Sequence, residues 1–150
     1  VDGFSAQLKT VLDRCFALLD PLITLDEEGH CRHKRFKPRE QAAILISTCG
    51  FSESDNFNLM RRHFAALCRN LGWQNAGEIL VPAGALGFVA DAYDHKYKAV
   101  REAGREFVDS GRISVRTMQT ISREVMGAGE YLEMVNKFFE KRRYQKAGEQ

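Results

Sequence analysis

The sequence predicts an α/β domain organised on parallel strands, and three features carry that prediction. Ala42, Ala43, Ile44, Leu45 and Ile46 form a short continuous apolar run, the pattern of a strand buried on both faces rather than of a surface helix. Small hydrogen-bonding residues follow from Ser47 to Ser52, interrupted by Phe51, and Ser54 or Asp55 is placed to cap a helix whose apolar positions begin at Phe57. A second apolar run, Glu78-Ile79-Leu80-Val81, stops at Pro82. Residues 42–82 therefore read as strand, crossover helix, strand. In such a sheet ligands sit beyond the carboxyl ends of the strands, where loop amides and a helix amino terminus face outward, so Ser47–Asn56 is the first place to look for function.

Ser5 is the expected N-cap of an opening helix over residues 5–20, in which Leu8, Val11, Leu12, Cys15, Phe16 and Leu19 recur at spacings of three and four and set one stripe against a core. Pro21 limits that helix. Residues 22–37 read as a hairpin excursion: Asp26-Glu27-Glu28-Gly29 turns between two β-compatible pieces whose opposite charges are placed to pair, and Pro38 marks the return. The crossover helix carries Phe57, Met60, Phe64, Leu67, Cys68 and Leu71 on one face, with Gly72 as its left-handed terminator and Arg61, Arg62 and Arg69 turned to solvent. The loop Ala83-Gly84-Ala85-Leu86-Gly87-Phe88, on the same sheet edge as the central loop if the strands are parallel, is a second candidate for ligand contact. A helix from about Asp91 to Ser110 ends at Gly111. Ser114 caps a shorter helix bearing Val115, Met118, Ile121 and Val125, and a last helix runs from Glu130 to about Tyr144. Residues 112–150 thus form a C-terminal helical extension, which covers a partner subunit or packs back onto its own chain.

A chain of 150 residues is the size of one domain and long enough to bury a core without metal or disulfide staples. With 44% hydrophobic and 28% charged residues and a formal charge of +2, it has ordinary globular composition and no call for a nucleic-acid partner. Lys141, Arg142, Arg143 and Lys146 gather at the end of the last helix, where cations complement the helix dipole. No apolar run reaches the roughly 18 residues of a membrane span and the opening residues lack a leader pattern, so the expectation is a cytoplasmic protein without membrane contact. Cys15, Cys31, Cys49 and Cys68 form no CxxC pair, and Cys15 and Cys68 fall on apolar helix faces. His30, Cys31 and His33 cluster in GHCRH, but without an identifiable fourth ligand the segment reads as a polar hairpin tip rather than a metal site.

A two-strand unit is small for a doubly wound sheet, and the opening helix has no strand before it, so the chain reads as the later part of a larger fold. VDGFSAQLKTVLDR, ILISTCGFSESDNFNLMRRHFAALCRNLG and GEILVPAGALG, and more weakly REAGREFVDSGRIS and EYLEMVNKFFE, resemble the flavodoxin-like NAD(P)H-dependent FMN reductases of the multimeric flavodoxin type. The resemblance implies a flavodoxin-like, three-layer parallel sheet, incomplete here because the amino-terminal strands and the phosphate loop have no counterpart. It also implies FMN as cofactor, NAD(P)H as electron donor and a homo-oligomer. Carried onto this chain, the family's flavin-ring contacts fall at Val1, Asp2 and Gly3 and at Thr48, Cys49, Gly50, Phe51, Asp55 and Asn56.

The residue chemistry agrees with that assignment. Gly50 admits a flat ring close to the backbone, Phe51 offers an aromatic face or edge, and amides around Cys49 and Gly50 are positioned to donate to the flavin pyrimidine oxygens. No catalytic acid–base residue is assigned. Ser47 lacks a G-x-S-x-G setting and His63 lies mid-helix, so a hydrolase triad is not supported. Cys49 reads as a ring-packing residue in preference to a reactive thiol, because no resolving partner is visible. The rival reading is a non-enzymatic α/β interaction module that does not bind FMN alone.

Overall fold

The computed structural model describes residues 3–35, 40–86 and 90–147. The candidate contacts Val1 and Asp2, the hairpin's expected end at Phe36 and Pro38, and Gly87 and Phe88 of the second loop lie outside the described residues.

The centre is the expected parallel unit. Strand β3 (Ala42–Thr48) pairs in parallel with β4 (Gln74–Val81), joined by a 3-10 turn (Ser54–Phe57) and helix α2 (Asn58–Leu71). Pairing is continuous from Ile44↔Gly77 to Thr48↔Val81, with a register shift between Ala43 and Ile44. Gly77 makes that shift possible: its φ of 137° suits glycine, and a Cβ there would lie 2.8 Å from the Ile113 Cβ. β4 begins at Gln74, four residues before the apolar run, because Gln74 and Asn75 already pair with Ala42 and Ala43.

Alternation sorts the strand side chains between two layers. Leu45 and Leu80 meet Phe57, Met60, Phe64 and Cys68 beneath α2. Ile44, Ile79 and Val81 pack against Ala103, Ile113 and Ile121, contributed by α3 (Ala90–Ser110), α4 (Val115–Ser122) and the link between them. Helices thus cover both faces of a small two-stranded sheet. Coverage is uneven, however: Ile46 is 70% exposed, so β3 is not buried on both faces as its apolar run suggests. Its partner Ile79 reaches the α3/α4 layer, whereas Ile46 lies beyond it.

Helix ends follow local chemistry. Gly72, at φ 59°, closes α2, and Trp73 N–H bonds the Cys68 carbonyl at 2.8 Å. Gly111, at φ 72°, follows α3. Ser114 caps α4 through Thr117 N–H at 3.2 Å. Neither Ser54 nor Asp55 caps α2: the chain enters through the 3-10 turn with Glu53 at its head, and Ser54 N–H donates instead to the distant Glu124 carboxylate at 3.2 Å. The last helix, α5, spans Ala128–Ala147.

The opening third differs. Ser5 caps helix α1 (Ala6–Cys15) by accepting from Leu8 N–H at 3.2 Å, as its sequence predicts, and a 3-10 turn over Phe16–Leu18 follows. The helix stops short of residue 20 because Leu19 opens a strand. β1 (Leu19–Leu25) pairs antiparallel with β2 (Cys31–Arg35), and Pro21, which has no N–H to give, sits where the register shifts between Leu19 and Ile23. Gly29 at φ 79° and the Asp26 carboxylate, accepting from Glu28 and His30 amides, form the turn, and Arg32 reaches Asp26 at 3.0 Å. The stripe on α1 does not meet a core: Leu8, Val11 and Phe16 are all exposed, and no residue of α1 is buried. Among the described residues, no helix is long and apolar enough to cross a membrane.

Candidate functional site

Parallel pairing brings the loops after β3 and β4 side by side, and a set of hydrogen bonds laces them together. Thr48 Oγ1 donates to the Val81 carbonyl at 2.9 Å and Cys49 N–H to the same oxygen at 3.3 Å. In return Ala83 N–H donates to Phe51 O at 2.7 Å and Gly84 N–H to Cys49 O at 3.0 Å. The approach is close enough to require glycine at 84, where a Cβ would fall 1.6 Å from Thr48 Oγ1. Ala83 takes up the geometric cost with a positive φ of 51°, which an L-residue adopts unwillingly.

Two tyrosines hold the outer side of this corner. Tyr93, buried on α3, donates its hydroxyl to Ala83 O at 2.6 Å. Burial raises its pKa above the ordinary phenol value, with Tyr131, Tyr97 and Cys49 adding to the effect. Tyr131, at the start of α5, donates to the Gly50 carbonyl. Val125, Met126, Tyr131 and Met134 pack around Ala83, Leu86 and Tyr93, so the start of α5 and the segment before it cover one flank of the loops.

What remains open is narrow and specific. Cys49 N–H is committed to Val81, which removes one of the amides expected to serve a ligand, whereas Gly50 and Phe51 N–H carry no hydrogen bond among the described residues. A Cβ on Gly50 would meet nothing within 4 Å, and Phe51 is 63% exposed. The Cys49 thiol lies 3.3 Å from Phe51 O, inside the turn. Gly50 and Phe51 therefore form a short wall with two donors free among the described residues and an exposed aromatic ring, while Thr48 Oγ1, the Cys49 N–H and the Cys49 thiol are spent on Val81 O and Phe51 O. Such a wall can accept a planar group bearing carbonyl oxygens.

The other expected contacts are placed elsewhere. Asp55 and Asn56 line a shallow hollow of about 400 Å³ with Asn58, Leu59 and Arg62, and the Asn56 amide is spent on Glu53 O at 2.9 Å. Gly3 has no neighbour near its open side, while the adjacent Phe4 packs against the same apolar cluster as Cys49. His30 pairs with Asp26 and Glu28, and the His33 ring bonds Asp20 O at 3.0 Å; among the described residues no group of three His, Cys, Asp or Glu is arranged to hold a metal.

Tyr93 and Tyr131 are the residues whose part here the sequence did not single out, while Gly84, expected in the second candidate loop, is placed against Thr48 of the first. A buried tyrosine such as Tyr93 needs an acceptor for its hydroxyl, which marks it as a polar anchor within an apolar stripe, and the half-buried Tyr131 behaves alike, but nothing local names either acceptor. No family model matches this chain, and neither a curated protein nor a solved structure does.

Proposed function

We propose that this chain is the later part of a flavodoxin-like, FMN-dependent NAD(P)H oxidoreductase, with Thr48–Phe51 forming one wall of the flavin-ring site. The observation that carries the reading is the pair of unbonded amides at Gly50 and Phe51, at the carboxyl end of a parallel strand, beside an exposed ring and an open glycine. When bound, FMN supplies hydride transfer from NAD(P)H. Gly50 lets the ring approach the backbone, the two amides donate to its pyrimidine oxygens, and Phe51 excludes water from one edge. Tyr131 and Tyr93 fix the wall by holding Gly50 O and Ala83 O.

The same reading includes a homo-oligomer. Its support is the apolar surface left uncovered on α1 and the hairpin, where Phe16, Leu22, Ile23 and Leu25 are each more than half exposed, and on α5, where Leu132 and Phe139 are as well.

Titration of FMN into the purified chain tests the proposal. Saturable quenching of flavin fluorescence is expected, weakened at least tenfold in Gly50→Val, whose Cβ meets no protein atom within 4 Å and whose native fold is checked by circular dichroism. A protein that neither carries nor gains flavin absorbance, or a Gly50→Val variant that binds as wild type, refutes the assignment. Exposure of Ile46 on β3 favours the second reading, a non-enzymatic interaction module, and that module is indifferent to FMN.

A further inference from the structure

A large cleft lies away from the Thr48–Phe51 wall. It opens between α1, the β1–β2 hairpin and α2, and its volume of about 710 Å³ is within the range occupied by small-molecule sites. Two aromatic rings form its walls, each held by a histidine. Phe4 stacks on His63 with centroids 4.4 Å apart and 27° between planes, and Phe16 meets His33 edge-on at 5.1 Å. Leu12 and Leu67 complete the apolar part.

The cleft shares Arg32 and His33, among other residues, with a recess of about 160 Å³ that adds Asp26, Arg69 and Gly72. Here the charges are unbalanced. Arg32 uses Nη2 on Asp26 at 3.0 Å and Nη1 on the Cys31 carbonyl at 2.8 Å, but its Nε is buried with no acceptor. A guanidinium N–H without an acceptor is costly, but Arg32 Nε is itself closed off by protein, so an anion in the recess meets the exposed part of the guanidinium, the side chain being 19% accessible. Arg69 has no ion pair among the described residues. The nearby carboxylates are already engaged: Asp13 with Lys9 at 2.7 Å, and Asp26 with Arg32 and two turn amides.

We propose that this cleft binds a small aromatic carboxylate, with the ring between Phe4 and Phe16 and the anionic group at Arg32 and Arg69. An apolar slot that opens beside two guanidinium groups discriminates by charge, since a neutral hydroxyl of the same reach makes only a weaker hydrogen bond there, without charge assistance. The site stands independently of flavin binding.

The test uses the full chain with naphthalene-2-carboxylate as probe and naphthalene-2-methanol as its neutral counterpart, followed by amide chemical shifts and calorimetry. The acid is expected to bind saturably, shifting amides of the residues that line the cleft, and the alcohol at least tenfold more weakly. Arg69→Gln reduces acid binding at least fivefold. Leu67→Trp, which fills the slot from α2 and leaves the charges in place, abolishes it. Equal binding of acid and alcohol, shifts confined to other residues, an unaffected Leu67→Trp variant of native circular dichroism, or no binding of the acid overturns the proposal.

Discussion

Two halves of this molecule carry the same apolar periodicity with opposite results. Around β3 and β4 it produces burial: Phe57, Leu80, Tyr93 and Ile121 are each at most 2% exposed. Along α1 and the β1–β2 hairpin it produces helix and strand but, among the described residues, nothing buried, with Phe16 at 59% and Leu25 at 66% exposure. The difference is one of partners. The parallel pair receives helices on both faces, whereas α1 faces α2 and the hairpin across the cleft that Phe4 and Phe16 line. Periodicity specifies an amphipathic element; a second surface turns it into a core.

The sharpest way to break that comparison is one substitution made in each half. Phe57→Ala opens a cavity in the cluster beneath α2 and is expected to cost about 3–5 kcal/mol. Phe16→Ala removes a largely solvated ring and is expected to cost under about 1 kcal/mol. Urea unfolding of both variants measures the pair. Similar costs would mean that α1 is buried in solution, by association of copies or otherwise, and a dependence on protein concentration would identify association.

A smaller effect separates the halves by pH. Lys96 is 1% exposed, and its ammonium donates to Ile121 O at 2.6 Å and to Arg123 O, tying α3 to the end of α4. Burial lowers its pKa from 10.5 to about 8. The unfolded chain keeps this proton up to about pH 10.5 while the folded chain releases it near 8, so across that window the unfolded state binds more protons and stability rises with pH. Relative to Lys96→Met, the wild type should therefore gain roughly 1–3 kcal/mol between pH 8 and 10.5, a pKa unit being worth about 1.4 kcal/mol. Cys68 and Tyr93, whose pKa values burial raises, titrate in both proteins and drop out of the difference. Parallel pH profiles for the two proteins would place the Lys96 ammonium in water.

What the sequence made legible follows from the same contrast. The strand–helix–strand unit was readable because apolar runs at 42–46 and 78–81 are bounded by loop chemistry, and Ser5, Gly72 and Ser114 were readable because caps are local. Exposure of Ile46 was not, since it depends on how far α3 and α4 extend over a strand remote in sequence. Thr48–Phe51 stood out by composition as a place for close backbone approach. Its fastening did not: Tyr131 lies 81 positions beyond Gly50, and Glu124 lies 70 beyond Ser54. Commitment of the Cys49 amide to Val81 is likewise a consequence of pairing two loops rather than of either loop's own residues.

The smallest expected effect comes from two serines that do the same local job. Ser5 and Ser114 each accept a hydrogen bond at 3.2 Å from the third residue of the helix they begin. Ser5 stands alone at an exposed end. Ser114 belongs to a network in which the Glu106 carboxylate accepts from Ser114 N–H at 2.7 Å, Ser114 Oγ at 2.9 Å and Thr117 Oγ1 at 2.8 Å, joining the end of α3 to the start of α4. The backbone bond from Ser114 and the hydroxyl of Thr117 hold Glu106 below the usual carboxylate pKa. Removing the hydroxyl at Ser5 therefore removes one cap, about 0.5 kcal/mol, while Ser114→Ala also takes a donor from Glu106 and should cost about 1–2 kcal/mol. Native-state hydrogen exchange distinguishes the two by reach. Ser5→Ala should speed exchange within α1 alone, because α1 opens without disturbing the sheet, and Ser114→Ala should speed it through α4 and at Ile113, whose amide is bonded to Ala76 O of β4 at 2.7 Å. If Ser5→Ala instead accelerates exchange in β3 and β4, the two halves unfold as one unit and the exposed stripe of α1 is coupled to the core after all.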